Sequence, residues 1–329
     1  MRLIRQKREN IIHHCILQFS RLMMSSLYYL IFPVIIILTL LRKGRERTWG
    51  RCKDTSSLKG KVFLITGANS GIGKETVREL VKRHARVIMA CRDMMNARKA
   101  IAEIRNNVST GEMIPMELDL ASLASIRKFA HNVLNDFPEI HVLVNNAGIY
   151  VPLNHRASTK DGFEIHFGVN HLGHFLLTNL LLDRLKLSAP SRIVIVTSKL
   201  LESGTIDFSN LNGEKGVITK GRMNPAYCNS KLANAYFAME LAKKLENSGV
   251  NVYMLKIWGN IIIKGLFIDL FQQGAQTVLH CATDASLSNE NGLLYRDCKI
   301  YKSKKELEPE MASKLWEISA NFTEINAVL

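Results

Sequence analysis

The sequence contains no Cys-x-x-Cys pair. Its six cysteines, at 15, 52, 91, 228, 281 and 298, are scattered without metal-ligand spacing. That excludes a zinc ribbon, argues against a disulfide framework in a chain of 329 residues, and fits a reducing compartment. Internal repeats and low-complexity linkers are also missing, which leaves one large α/β domain with a short extension, or two small domains. Acidic residues are scarce at one end only. Residues 1–61 hold thirteen Lys/Arg and three acids, so they carry +10 of the formal net charge of +15. The remaining residues carry only +5, and no nucleic-acid partner is expected for the main domain.

Charge is absent altogether from residues 22–41, LMMSSLYYLIFPVIIILTLL. A helix of that length spans roughly 30 Å, the thickness of a bilayer's hydrocarbon core, and Pro33 is tolerated better there than in a soluble helix. A cleavable signal peptide would need a shorter apolar run and a small-residue cleavage site, whereas RKGRERTWGR follows. The expected order is therefore a basic segment (1–21), a transmembrane anchor (22–41), a basic linker (42–58) and a main domain (59–329). The C-side flank is the more basic, which favours a single-pass topology with that domain in the cytosol, and the endoplasmic reticulum is the expected membrane. Asn107-Val108-Ser109 and Asn321-Phe322-Thr323 would then stay unglycosylated.

From residue 60 on, short apolar runs alternate with amphipathic stretches. Strands are expected at 61–66, 85–91, 113–120, 140–146, 191–198 and 250–257. Helices are expected at 71–84, 94–105, 123–137, 170–186 and 225–247. Fully apolar strands between helices call for a parallel sheet covered on both faces. Right-handed crossovers make it a doubly wound, Rossmann-type α/β domain that binds ligands at the strand C-terminal ends.

After the first strand comes TGANSGIGKE. Gly67, Gly71 and Gly73, between a strand and a helix, let backbone approach a pyrophosphate at the helix N-terminus. The second strand ends Ala90-Cys91-Arg92-Asp93. An acid there accepts the ribose 2′-hydroxyl of NAD, and an arginine suits the 2′-phosphate of NADP. Arg92 comes first and Lys74 adds a cation, so NADP(H) is the expected cofactor. Farther on, AYCNSKL places Tyr227 and Lys231 four apart, on one face of a helix.

TGANSGIG (66–73), NNAG (145–148), Asn170 in VNHLGHF, Ser198 in IVTS and YCNSK (227–231) together resemble the short-chain dehydrogenase/reductase family. KDGFEIHFGVNHLGHFLLTNLLL, SKLANAYFAMELAKKLE, GAQT and KLWEIS resemble its retinol dehydrogenase branch, close to the membrane-anchored members numbered eleven to fourteen. The likeness runs from about residue 57 to 321. It implies Tyr227 as acid/base, Lys231 as its partner, Ser198 as donor to the substrate oxygen and Asn170 as the fourth member. It implies cofactor contacts at Gly67, Asn69, Ser70, Gly71, Ile72, Gly73, Arg92, Asp119 (beside the adenine), Leu120, Asn146, Ala147 and Gly148, with Tyr227 and Lys231. The implied reaction interconverts a hydrophobic alcohol and its aldehyde or ketone, retinoids foremost.

The chemistry explains the pair. Hydride addition to a carbonyl leaves an alkoxide that needs a proton from within hydrogen-bond reach. One positive charge at about 4 Å, in an effective dielectric near 20, is worth roughly 4 kcal/mol. That brings a phenol of pKa about 10 near neutrality. Read alone, Ser198 is a strand-end serine and Asn170 a helix cap. His171 and His174 have no metal-spaced companions and read as packing or surface residues.

Three features depart from the family pattern. After the sixth strand the family carries Pro-Gly and then Thr, where this chain has Trp258, Gly259 and Ile263. The stretch from there to GAQT, which forms the substrate lid in relatives, is shorter, and about four residues are added before Tyr227 in GVITKGRMNP. The alternative to an active enzyme is a membrane-tethered relative that keeps the fold, binding cofactor or a partner without turnover.

Overall fold

The computed structural model describes residues 28, 29, 31–37, 39, 40, 49–215, 223–257 and 270–325. Its contacts divide the chain into two units, Met1–Trp49 and Gly50–Leu329. In the first unit the described residues from 28 to 40 are helical and exposed. Among the described residues no helix is long and apolar enough to cross a membrane; the rest of the expected 22–41 anchor lies outside them.

In the second unit, runs such as VFLIT and RVIMAC are apolar along their length because helices cover both faces of the sheet they build. The strands are β1 (Val62–Thr66), β2 (Arg86–Cys91), β3 (Glu112–Glu117), β4 (Val142–Asn145), β5 (Ser191–Ser198), β6 (Val250–Ile257), β7 (Leu293–Arg296) and β8 (Lys299–Ile300). They form one sheet in the order β3-β2-β1-β4-β5-β6-β7-β8. All pairs are parallel except β7 with β8, which closes the edge as a short antiparallel strand.

The helices are α1 (Gly71–Lys82), α2 (Met94–Arg105), α3 (Leu123–Asp136), α4 (Gly173–Leu187), α5 (Pro225–Lys244), α6 (Leu270–Thr283) and α7 (Pro309–Phe322). Alternate residues of a strand face opposite sides, so β1 feeds two cores. Phe63 and Ile65 pack with Val77, Leu80, Ile104 and Val278, from α1, α2 and α6. Leu64 packs with Phe129, Leu181, Phe237 and Trp316, from α3, α4, α5 and α7. This is the doubly wound arrangement expected.

The strand expected at 113–120 stops at Glu117, and Leu118 to Leu120 continue as connection. The helix expected from 170 begins as a π-helical turn over Phe167–Leu172, which runs into α4. Backbone there is redirected by side-chain bonds to Asn170, described below, which local periodicity does not encode. Strand β7 and the β8 edge had no expectation, since two to four residues are too few to show a period.

Candidate active site

The strand order reverses between β1 and β4, so their C-terminal ends open a crevice at the point where doubly wound sheets bind ligands. The glycine turn leaves β1 there. Gly67 and Gly71 have φ of +66° and +55°, in the left-handed region that favours glycine. A Cβ on Gly73 would overlap the Gly67 carbonyl oxygen and lie 2.7 Å from Asn146 Nδ2. Asn69, Ser70 and Ile72 complete the turn, and Ser70 caps α1 without a side-chain hydrogen bond. The first backbone N–H groups of α1 are thus left for an anion.

The end of β4 is tied to this turn. Asn146 Nδ2 donates to the Thr66 carbonyl at 2.8 Å. The backbone N–H groups of Asn146 and Ala147 donate to Thr66 Oγ1 at 3.0 and 2.9 Å. Thr66 Oγ1 also meets His174 Nε2 at 2.8 Å, and His174 Nδ1 meets the Asn170 carbonyl at 3.0 Å. The contact between Thr66 and His174 escaped the sequence, because only the packed fold brings a strand end against a helix 108 residues away. Burial drives the His174 pKa down to about 4 and that of His171 to about 3. Both rings lie in the core, which excludes the surface alternative.

At the end of β2, Arg92 is exposed. Asp93 is engaged by its own helix. Its Oδ1 accepts from the backbone of Met95 and Asn96 at 2.9 and 3.0 Å, and its Oδ2 from Asn96 Nδ2 at 2.6 Å. It caps α2. Lys74 is not a spare cation, since it pairs with Glu103 of α2. Asp119 accepts from the Ala121 N–H at 3.0 Å and pairs with Lys160 at 2.9 Å. Partial burial raises its pKa, but Lys160, the Ala121 amide and the nearby Arg92 charge outweigh that and lower it. Leu120 is buried against the start of α4, where its carbonyl oxygen would be 2.9 Å from a Cβ on Gly173.

Three elements bring the remaining residues together. Asn170, fully buried in the π turn, accepts from Ile149 N at 2.8 Å and donates to Ile149 O at 3.1 Å and Ser230 Oγ at 3.0 Å. It is therefore a tertiary clamp and not a helix cap. Ser198 ends β5 and accepts from Leu200 N at 3.2 Å. Tyr227 and Lys231 lie on α5, which starts with Asn224 as cap and Pro225 at its first turn. The Ser198 side chain acts on the Tyr227 phenol, opposing the rise in its pKa. Lys231 is 4% exposed, and its Nζ donates to the Val196 carbonyl at 3.3 Å. That ammonium lies 5.7 Å from the Tyr227 ring centre, and it and Asn170 Oδ1 would each be 3.4 Å from a Cβ on Gly148.

The electrostatics differ from expectation. Burial raises the Tyr227 pKa above the ordinary tyrosine value, with the Ser198 hydrogen bond opposing it, and Lys231 does not bring the phenol down towards neutrality. The lysine is itself desolvated, and burial lowers its pKa to about 8. A buried ammonium holding one carbonyl retains donors for a polar ligand. With the glycine turn and an α1 start that has no side-chain cap bond, these residues fit a dinucleotide. The Trp258–Ile263 departure and residues 216–222 of GVITKGRMNP lie outside the described residues.

A glycine-rich turn at a switch point, beside a Ser–Tyr–Lys cluster on β5 and α5, defines a dinucleotide oxidoreductase of the short-chain type. The family model for short chain dehydrogenase matches residues 61–257, and the chain belongs to that family. It falls in the retinol dehydrogenase branch: human retinol dehydrogenase 11 is 40% identical over 316 residues, which cover 91% of this chain and 97% of that protein. Among solved structures, an uncharacterised protein from Mycobacterium paratuberculosis is 33% identical. Its TM-score is 0.70, over 86% of this chain and all of that one. A metagenomic short-chain oxidoreductase in complex with NADP is 26% identical, with a TM-score of 0.50 over 67% of this chain and 93% of that one.

Proposed function

We propose that this protein is a membrane-anchored, NADP(H)-dependent oxidoreductase that interconverts a hydrophobic alcohol and its aldehyde or ketone, retinol and retinal or a similar lipid. The observation that carries the reading is the buried Lys231 ammonium 5.7 Å from the Tyr227 ring centre on α5, with Ser198 at the end of β5 acting on the same phenol. The names of the retinol dehydrogenase relatives support the substrate class. NADP is favoured over NAD because Arg92 is exposed at the end of β2 while Asp93 Oδ1 caps α2 and its Oδ2 accepts from the Asn96 side chain. The NADP-bound metagenomic relative agrees with this.

A nicotinamide held by the glycine turn and Lys231 would supply or accept the hydride. Tyr227, held protonated by its raised pKa, donates its phenolic proton to the oxygen of the carbonyl being reduced. Ser198 donates to the same oxygen and so stabilises the charge that develops there. Lys231 orients the dinucleotide through its free donors and opposes the charge left on the phenolate. Asn170 holds the backbone of Ile149 beside them.

Residues 22–41 serve as the single-pass anchor, between the basic segments 1–21 and 42–58, and tether domain 59–329 to the cytosolic face of the endoplasmic reticulum. Lipid substrates partition into that membrane, so tethering raises the encounter rate. In membranes holding the full chain, NADPH consumption with all-trans-retinal should occur and should vanish in Tyr227→Phe. NADPH binding without Tyr227-dependent turnover across lipid aldehydes and ketones contradicts the enzymatic reading. Glycosylation at Asn107 or Asn321 contradicts the cytosolic orientation.

A further inference from the structure

Residues 149–151 follow Gly148 and run beside Tyr227. Their backbone is gripped at both ends. Asn170 bonds both the N–H and the carbonyl of Ile149. Val151 donates its N–H to His166 Nε2 at 2.9 Å, and its carbonyl accepts from Asn224 Nδ2 at 2.9 Å. Asn224 is the cap of α5, and its Oδ1 accepts from Ala226 N at 3.0 Å, one residue before Tyr227. Between the two grips, Tyr150 is directed edge-on to the Tyr227 ring, at 5.2 Å between centres and 81°.

His166 is 1% exposed and also meets the Tyr227 ring edge-on, at 5.9 Å. Because its Nε2 accepts from Val151, its Nδ1 carries the proton and donates to Glu164 Oε1 at 2.7 Å. The other oxygen, Oε2, accepts from Phe167 N at 2.8 Å, at the start of the π turn that carries Asn170. Glu164 and His166 therefore join two backbone segments that flank the phenol.

We infer that Glu164 and His166 are positioning residues for Tyr227: His166, oriented by Glu164, holds the Val151 N–H and so fixes Tyr150 and the α5 cap against the phenol. This deepens the reading above and rests on Tyr227 being the proton donor. The essential feature is the acceptor at the Nε2 position. A glutamine at 166 supplies an acceptor oxygen. A phenylalanine keeps a ring against Tyr227 and removes the acceptor.

The test compares His166→Phe and His166→Gln in the full chain in membranes, reading kcat and KM for NADPH-dependent retinal reduction. Amide hydrogen exchange of the peptides spanning 149–151 and 225–228 is read alongside. In His166→Phe, kcat should fall roughly ten- to a hundredfold, the loss expected for a reacting group displaced by about 1 Å. The KM for NADPH should stay within about threefold, and the 149–151 peptide should exchange faster. His166→Gln should keep kcat within about threefold of wild type, with slow exchange. Unchanged kcat in His166→Phe overturns the inference, as does a loss in His166→Gln equal to that in His166→Phe. Should His166→Phe fail to fold, the glutamine variant alone decides, since loss of kcat with accelerated exchange there contradicts the acceptor role. Wild-type protein without Tyr227-dependent turnover overturns the functional reading instead. The exchange comparison then stands by itself, and unaccelerated exchange in His166→Phe refutes the clamp.

Discussion

The ammonium of Lys231 lies 5.7 Å from the centre of the Tyr227 ring and donates to the Val196 carbonyl, and burial alone lowers its pKa from 10.5 to about 8. Keeping a charge there is unfavourable to the fold.

A first prediction follows from that lowered pKa. The folded chain binds the Lys231 proton more weakly than the unfolded chain does, so the folded state is penalised wherever the unfolded lysine is protonated. The penalty is full below about pH 8 and disappears above 10.5. The difference corresponds to about 3 kcal/mol at most. Lys231→Met should therefore raise thermal stability at pH 7 while abolishing turnover, and the gain should shrink as pH approaches 10.5. Melting curves across pH check both statements.

The glycine turn yields a second. Gly73→Ala places a methyl group against the Gly67 carbonyl and the Asn146 amide. Overpacking of this kind costs about 1–3 kcal/mol, and here it falls on the pyrophosphate cradle. NADPH fluorescence titration should show binding weakened at least tenfold. Gly162→Ala, at a left-handed glycine with nothing within 4 Å, should leave NADPH binding unchanged.

Cofactor choice should turn on Arg92. A guanidinium on the 2′-phosphate is a charge-assisted contact worth roughly 1.5–3 kcal/mol. Arg92→Gln should weaken NADPH binding by about ten- to a hundredfold and leave NADH binding unaltered. Equal losses for both contradict the 2′-phosphate assignment.

A fourth prediction concerns the turn after β5. Glu202 Oε1 accepts from Lys256 Nζ at 2.7 Å, Tyr301 OH at 3.1 Å and Lys304 N at 3.3 Å. Partial burial raises the Glu202 pKa, but these donors outweigh it and lower it. The pair's contribution is therefore present above the ordinary glutamate pKa of 4.5 and is lost as pH falls through the lower, folded value. The Lys256 side chain is only 2% exposed. Glu202→Ala strands that charge and should destabilise the fold by about 3–5 kcal/mol, measured by denaturant unfolding. Glu202→Ala with Lys256→Met should recover most of the loss.

Most of the scaffold was legible in the chain because burial on both faces leaves an unbroken apolar run. RVIMAC, SRIVIVTS and VNVYMLKI stand as strands within a residue of where they were expected. Tyr227, Lys231, Ser198 and the glycines were legible as motifs. What escaped was long-range polar wiring. The spacing leaves Asp93 open as an acid at the strand end, and only the fold shows its carboxylate capping α2. Lys74 reads as a spare cation until Glu103 is found beside it. Asn170 reads as a cap, and only the fold supplies Ile149 and Ser230 as its partners. Likewise the phenol's pKa depends on burial that no spacing reveals.

The most direct test of the central claim is retinal reduction by NADPH in membranes, comparing wild type with Tyr227→Phe, with NADPH affinity measured on the same preparations. Loss of the proton donor should lower kcat by roughly 10²–10⁴-fold while the NADPH dissociation constant stays within about threefold. A Tyr227→Phe variant that keeps wild-type kcat would contradict the account.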